Sequence, residues 1–159
     1  MAKLLIFFAL CLLPAIASAA RIMDNPLFVK GRVYCDTCRC GYETSVTKYI
    51  PGAQVKLECR ARDTLQVTYM VESVTDSTGS YNILVQDDRG DEVCDAVLVK
   101  SSDPECAIPN SGWDRARVIL TRNNGMNSDT RFANAMGFLK NEPLASCAKI
   151  LQKYEETED

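Results

Sequence analysis

Cysteine chemistry limits what this chain of 159 residues can become more than any other property of its sequence. The chain has eight cysteines, and all but Cys11 lie downstream of an apolar N-terminal segment. In an oxidising compartment such thiols form disulfides, which stabilise small domains. The number of downstream cysteines is odd, so at least one thiol stays free or pairs between chains. The downstream cysteines are Cys35, Cys38, Cys40, Cys59, Cys94, Cys106 and Cys147.

The N-terminal segment has the pattern of a secretory signal peptide. Lys3 supplies a positive charge, residues 4–16 are apolar, and Ala17–Ala20 contains the small residues that signal peptidase recognises. The apolar run spans roughly 20 Å as a helix, which is too short for a bilayer core of about 30 Å. We therefore predict that residues 1–20 are a signal peptide, and that residues 21–159 are secreted to the extracellular space with no remaining membrane span.

The composition disfavours two classes of function. The formal net charge is −3, so a nucleic-acid-binding protein is not expected. The chain has no histidine, which removes the usual general base and the Ser-His and Cys-His nucleophile pairs. We predict that the protein is not an enzyme and that it has no catalytic residues and no cofactor.

Cys35 and Cys38 form a Cys-x-x-Cys motif that allows three interpretations. A redox motif would begin a helix, but the motif follows a strand-like segment and no helical pattern comes next. A zinc site would need a second closely spaced pair, and the other cysteines are widely spaced. We therefore predict no metal and a structural role. Residues three apart on a strand face opposite sides, so the two thiols are expected to reach different partners.

Most of the chain alternates between apolar and polar residues with a period of two, which is typical of half-buried strands. Turn sequences such as Pro51-Gly52 and Asn124-Gly125 separate these segments. The pattern predicts one mainly β domain, an antiparallel sandwich or partly closed barrel of six to seven strands. The predicted strands lie in residues 29–34, 53–59, 67–72, 81–86, 93–100 and 115–121.

Two segments give more specific predictions. In residues 53–59, alanine, valine, leucine and Cys59 share one face, so a slip of one residue would bury Lys56 and Glu58 instead. Near the C-terminus, Pro143 precedes apolar residues at helical spacing, which predicts a short helix tied to the domain through Cys147. The residues at helical spacing are Leu144, Ala148, Leu151 and Tyr154.

Acidic residues cluster around Gly90, between two predicted strands. Such a cluster can form a calcium or acid–base site. We interpret it as a solvated hairpin turn instead, because Asp and Gly are common in turns and Arg89 opposes a cation. The acidic residues are Asp87, Asp88, Asp91 and Glu92.

Basic and aromatic residues supply the remaining candidates for a binding surface. Arg115, Arg117 and Arg122 lie in or beside a predicted strand. They form either its outer face or a docking patch for an acidic polymer or receptor. Trp113 is interpreted as a core or loop anchor rather than a sugar-stacking platform, since such platforms usually pair aromatic residues. The sequence does not identify a binding site.

The segment Gly31–Arg39, with the sequence GRVYCDTCR, resembles the defining motif of the major olive-pollen-allergen (Ole e one-like) family of secreted plant pollen proteins. Lys30 departs from that motif, which usually has Gln or Glu before the glycine. Similarity continues in family order along the rest of the chain. The similar positions are Tyr49–Ala53, Cys59, Gly79, Tyr81, Cys94, Cys106, Gly112-Trp113, Gly137-Phe138 and Cys147.

The resemblance implies a β fold with three disulfides. Carried over by position, they are Cys35–Cys106, Cys38–Cys147 and Cys59–Cys94. Cys40 then remains as an unpaired or intermolecular thiol, which departs from the six-cysteine pattern of the family.

The resemblance also implies a function. Members are secreted, non-enzymatic pollen proteins associated with pollen hydration or tube growth, and they bind IgE in sensitised people as allergens. The expected partner is a cell-surface receptor kinase, for which the protein acts as a ligand or modulator. The alternative is a cell-wall polysaccharide-binding module.

Overall fold

The computed structural model describes residues 26–155, so the predicted signal peptide lies outside the described residues. Within this range no helix combines the length and the hydropathy needed to cross a membrane. The elements are β1 (Leu27–Asp36), β2 (Lys48–Tyr49), β3 (Gln54–Ala61), β4 (Val67–Val74), β5 (Ser80–Val85), β6 (Glu92–Lys100), β7 (Ile108–Pro109), β8 (Arg115–Val118), β9 (Thr130–Phe132), β10 (Met136–Leu139) and α1 (Cys147–Glu155).

One sheet is built around the long strand β1, which pairs with different neighbours along its length. Its first part pairs with β5 antiparallel and with β9 parallel. Its second part pairs with β2 antiparallel and with β10 parallel, and β7 extends the sheet beyond β10. The result is a mixed six-stranded sheet.

The second sheet is antiparallel and more regular. Its four strands have the order β4-β3-β6-β8. Pairing runs along nearly the whole of β3, with register shifts beside Arg60 and Val55. Cys59 lies directly opposite Cys94 on the neighbouring strand.

The core lies between the inner faces of these sheets. In β3 and the residue before it, Ala53, Val55, Leu57 and Cys59 are fully buried, as the alternation predicts. Full burial of a Val or Leu side chain stabilises the fold by about 1.5–3 kcal/mol. β1 and β5 contribute the facing residues, which include Leu27, Val29, Val33, Tyr81, Ile83 and Val85.

Three disulfides link separate parts of this fold. Cys35 of β1 is bonded to Cys106, which precedes β7. Cys38, in the loop after β1, is bonded to Cys147 at the start of α1. Cys59 and Cys94 join neighbouring strands inside the four-stranded sheet. The bonds close sequence separations of 71, 109 and 35 residues.

The structure confirms a mainly β domain with three disulfides and a short C-terminal helix. Three details differ from the sequence prediction. The described residues form ten strands, some only two or three residues long, and the pairings of β1 with β9 and β10 are parallel. Neither sheet closes into a barrel within residues 26–155. The helix begins at Cys147, so Pro143 and Leu144 precede it.

Candidate functional site

The outer face of the four-stranded sheet carries a dense group of charges around Glu58. This side chain is 7% exposed although it lies on the outward side of β3. Lys56 Nζ donates to Glu58 Oε2 at 2.7 Å, and Arg60 Nε donates to Glu58 Oε1 at 2.8 Å. These hydrogen bonds hold the pKa of the Glu58 carboxyl below its ordinary value, against the opposing effect of burial. Glu58 is therefore an anion covered by two cations.

Asp95, on the neighbouring strand β6, is likewise an acidic residue held between two cations. It lies directly opposite Glu58 in the pairing of β3 with β6, and it is 9% exposed. Arg117 Nε donates to Asp95 Oδ1 at 2.6 Å, and Arg115 Nη1 lies 3.7 Å from Asp95 Oδ2. We call the six residues of this network the basic face: Lys56, Glu58, Arg60, Asp95, Arg115 and Arg117.

Arg122 does not belong to the basic face. Strand β8 ends at Val118, and the Arg122 guanidinium instead donates to Asp129 Oδ1 at 2.6 Å and to the Pro26 carbonyl at 3.1 Å. Of the three arginines considered from the sequence, the structure therefore brings together Arg115 and Arg117.

A groove of about 680 Å³ opens on the other sheet, where β1 changes its parallel neighbour. Lys30 pairs with Phe132 of β9, and Val33 pairs with Met136 of β10. Between these pairs, Gly31 and Arg32 of β1 face the three residues 133–135. The extra residue acts as a β-bulge that interrupts the pairing. We call this opening the Tyr81 groove. Its lining includes Lys30, Gly31, Arg32, Tyr81, Asn82 and Phe132.

Tyr81 is the most unusual residue of this groove. Its side chain crosses over Gly31, where an added Cβ would lie only 2.3 Å from the Tyr81 hydroxyl oxygen. That hydroxyl is buried and has no hydrogen-bond partner among the described residues. Burial raises the pKa of the Tyr81 phenol above its ordinary value, so it remains a neutral O–H. A buried hydroxyl without a partner costs about 1–3 kcal/mol.

The remaining walls of the Tyr81 groove combine polar and charged side chains with small apolar ones and one exposed aromatic ring. Phe132 is 77% exposed. The guanidinium of Arg32 stacks 4.5 Å from the centre of the Tyr49 ring. Asp76 is the one acidic residue of the lining, and its carboxylate already accepts hydrogen bonds from Thr78 and Ser80.

The loop after β1 holds Cys40 close to a buried carboxylate. Asp36 is 1% exposed and accepts hydrogen bonds from the backbone N–H groups of Cys38, Cys40 and Gly41. The Cys40 thiol lies 3.7 Å from Asp36 Oδ1 and 3.4 Å from the Tyr42 carbonyl oxygen. Burial and the charge of Asp36 raise the pKa of this thiol. Cys40 is not bonded to any other cysteine that the structure describes.

The acidic cluster around Gly90 is held by hydrogen bonds within the protein. Asp88 accepts from the N–H of Gly90, the hydroxyl of Thr121 and the N–H of Arg122. Burial raises the pKa of Asp88, but these hydrogen bonds outweigh it and leave the pKa below its ordinary value. The segment is a turn, but β5 and β6 belong to different sheets, so the expected hairpin is wrong.

A metal-ligating geometry occurs once among the described residues. One ligand atom each from Cys59, Glu92 and Cys94 lies within 4.8 Å of the others. The two sulfurs are bonded to each other, so neither is a thiolate ligand.

Trp113 lies beside the loop of Cys40 and is 45% exposed. An added Cβ on Gly41 would lie 3.1 Å from Trp113 Nε1, so the indole packs against this glycine. The backbone N–H of Trp113 donates a hydrogen bond to the Asn110 carbonyl, and the N–H of Gly137 donates one to the Trp113 carbonyl. The indole therefore anchors a loop, and Trp113 is not part of the groove lining.

Sequence reasoning did not identify the Tyr81 groove. Phe132 lies in a strand of three residues, which is too short to show a period, and Tyr81 lies in a segment with the ordinary alternation of a half-buried strand. A large aromatic residue can cover a glycine on a neighbouring strand, but the pairing of Gly31 with Tyr81 is visible only in the structure.

Comparison with known proteins identifies relatives along nearly the whole described chain. The family model for "Pollen protein Ole e 1 like" matches residues 25–155. Pollen-specific protein C13 of Zea mays is 41% identical over 154 residues, covering 94% of this chain and 89% of that protein. Pollen allergen Cro s 1 of Crocus sativus is 43% identical over 155 residues, covering 96% and 92%. The crystal structure of the plantain pollen allergen Pla l 1 aligns with a TM-score of 0.70 at 28% identity, covering 77% of this chain and all of that one.

Proposed function

Because the chain belongs to the family of pollen proteins like Ole e 1, we propose that it is a secreted pollen protein that acts outside the cell by binding a partner and catalyses no reaction. Its relatives are pollen-specific and allergen-type proteins, which supports a non-enzymatic role in pollen. The signal-peptide pattern of residues 1–20 and the three disulfides support export to an oxidising compartment.

The observation that carries a binding role is the basic face. The whole chain has a net charge of −3, yet this surface sets four cations against two carboxylates. Arg117 uses its Nε for Asp95 while its side chain remains 62% exposed, so further N–H donors stay available to a partner. Such a surface attracts and orients an acidic partner.

The proposed partner is an acidic extracellular region of a receptor kinase on pollen or on the tissue that pollen contacts. The protein would act as its ligand or modulator during pollen hydration or tube growth. The disulfides support this role because a rigid scaffold loses little entropy when it binds.

A pull-down tests this proposal. The secreted protein is incubated with membranes of germinating pollen and compared with Arg115→Gln/Arg117→Gln. A helix variant, Lys149→Gln/Lys153→Gln, removes the same charge from exposed positions and serves as the control. We expect the native and control proteins to enrich a receptor kinase at least tenfold over the basic-face variant, and less strongly at high salt. Equal recovery by all three proteins, or no enrichment, contradicts the proposal.

The Tyr81 groove favours a second candidate function, the binding of cell-wall polysaccharide. Its exposed aromatic ring and hydroxyl-bearing walls suit a sugar better than an apolar ligand. A glycan array separates the two candidates, because a receptor ligand without sugar affinity gives no signal on it.

We also propose that the protein binds IgE of sensitised people, since relatives such as Cro s 1 are named allergens. Sera reactive to such relatives test this directly.

A further inference from the structure

The Tyr81 groove has the dimensions and the incomplete hydrogen bonding of a ligand site. Its volume of about 680 Å³ lies within the range of about 300–1,000 Å³ that is typical of small-ligand sites. Buried polar groups in proteins nearly always have a partner, and one that lacks it calls for an explanation. The Tyr81 hydroxyl is such a group, and both Tyr81 and the Gly31 that it covers line the groove.

Strand pairing places three different side chains in one row along the groove. Lys30 lies opposite Asn82 on one neighbouring strand and opposite Phe132 on the other. All three side chains are exposed. Facing residues of paired strands lie about 4.5–5.5 Å apart, so an amide, an ammonium group and an aromatic ring are presented within the span of a small sugar oligomer.

The charged residues of the groove distinguish acidic sugars from neutral ones. Arg32 lies two residues from Lys30 on the same side of β1, so the row carries two neighbouring cations. Asp76 carries the opposing charge, but the lining still sets two cations against this one carboxylate. A ligand with its own carboxylates is therefore favoured over a neutral one.

We propose that the Tyr81 groove binds a uronic-acid oligosaccharide, with one sugar ring stacked on Phe132, carboxylates paired with Lys30 and Arg32, and hydroxyl groups bonded to Asn82 and Tyr81. This proposal rests on the second candidate function and is independent of the receptor proposal. Apart from Gly31, Val74, Phe132, Ala133 and Ala135, the lining residues bear hydroxyl, amide or charged groups. These groups suit a hydroxyl-rich ligand better than an acidic peptide.

Calorimetric titration of the full secreted protein tests the proposal. The probes are trigalacturonate, a glucuronate oligomer, fully methyl-esterified trigalacturonate and hexaglutamate. We expect both acidic sugars to bind, the methyl ester to bind at least tenfold more weakly, and hexaglutamate not to compete. Equal binding of the ester overturns the role of charge, and competition by hexaglutamate overturns the sugar in favour of an acidic peptide.

Variants of the groove supply a second readout. Phe132→Ser removes the stacking surface from an exposed position, and we expect trigalacturonate affinity to fall at least tenfold without loss of fold. Tyr81→Phe removes a hydroxyl that has no partner among residues 26–155, so it should weaken binding about fivefold while the melting temperature stays equal or rises. A structural role for the hydroxyl predicts the opposite change in melting temperature.

A control outside both surfaces keeps this test separate from the proposed functions. Lys149→Gln removes a cation from an exposed position of α1 and should leave trigalacturonate affinity unchanged. If Lys149→Gln weakens sugar binding as much as Phe132→Ser does, the groove is not the site. If no glycan of any kind binds, the polysaccharide function fails as well, whereas equal binding of neutral sugars overturns only the uronate proposal.

Discussion

The basic face and the Tyr81 groove differ in whether their buried polar groups have partners among the described residues. On the basic face, Glu58 and Asp95 are almost fully buried, and each contacts two cationic side chains. In the groove, the hydroxyl of Tyr81 is buried with no partner in residues 26–155. On the basic face both buried carboxylates are paired with cations, while the groove holds a buried hydroxyl that the described residues leave without a partner.

Strand pairing explains why the two surfaces differ. β3 keeps its neighbours along nearly its whole length, so rows of side chains continue across the four-stranded sheet. β1 changes its parallel neighbour at Gly31 and Arg32, where the facing chain has a surplus residue. A regular ladder supports a continuous charged network, and an interrupted ladder opens a recess. The contrast predicts that changes to the two sheets affect different properties.

Among the changes that compare the two sheets, the largest effect is expected from loss of the disulfide beneath the basic face. In Cys59→Ala/Cys94→Ala, loss of a bond that closes 35 residues should lower the free energy of unfolding by about 3–4 kcal/mol, through a less restricted unfolded chain. Urea unfolding under non-reducing conditions measures this, and Cys40→Ala controls for loss of a cysteine that forms no disulfide within residues 26–155. A loss below about 1 kcal/mol would mean that the strand ladder holds this sheet without the bond.

A smaller but more local effect is expected in the groove. In Gly31→Ala, the new Cβ would lie 2.3 Å from the Tyr81 hydroxyl oxygen, and overpacking of this kind costs about 1–3 kcal/mol. Thermal unfolding measures the loss. In the double variant with Tyr81→Phe, part of the stability should return, because the closest colliding atom is gone. Strictly additive effects of the two changes would show that the ring does not lie over Gly31.

On the basic face, Glu58→Gln should lower the free energy of unfolding by about 1–2 kcal/mol at pH 7, because two charged hydrogen bonds are weakened. The pKa of Glu58 is lowered in the folded state from an ordinary value of 4.5. The ionised Glu58 therefore stabilises the fold fully at pH values above this ordinary pKa. The stabilisation is lost as the pH falls through the lower pKa that Glu58 has in the folded state. Urea unfolding from pH 7 to pH 3 should show the native and variant curves converging.

Glu72→Gln is the matched control for this measurement. Glu72 is exposed on β4 and lies opposite Lys56 in the pairing of β3 with β4. Its substitution should change stability by less than about 0.5 kcal/mol at every pH. If the two variants behave alike, the basic face is ordinary surface charge and its contrast with the groove disappears.

Side-chain alternation was sufficient to predict the regular sheet but not the irregular one. The burial of Ala53, Val55, Leu57 and Cys59 follows directly from a period of two. Alternation is the same in parallel and antiparallel strands, so it carried no information about the pairing of β1 with β9 and β10. The groove arises at that pairing, which is why the sequence did not reveal it.

Two further features needed information that the pattern does not contain. Seven cysteines allow many pairings, and a single set was available only through the family resemblance. Glu58 was expected on a polar face, and it does lie there, but the side chains of Lys56 and Arg60 cover it. Long basic side chains can bury a neighbouring carboxylate on the outer face of a sheet. The alternation of the sequence predicts only whether a side chain points inward or outward, so it does not predict this kind of burial.

The smallest effect concerns Cys40, whose thiol belongs to neither surface. Burial and Asp36 raise its pKa above the ordinary value of 9.0, so little thiolate is present at pH 8. We expect iodoacetamide to modify Cys40 at least tenfold more slowly than it modifies the same thiol in urea-unfolded, disulfide-intact protein. Mass spectrometry over time measures both rates, and Cys40→Ser should change stability by less than about 0.5 kcal/mol. Equal rates would show that Asp36 and the surrounding loop leave the thiol open, which would make a disulfide between two copies of the chain chemically accessible.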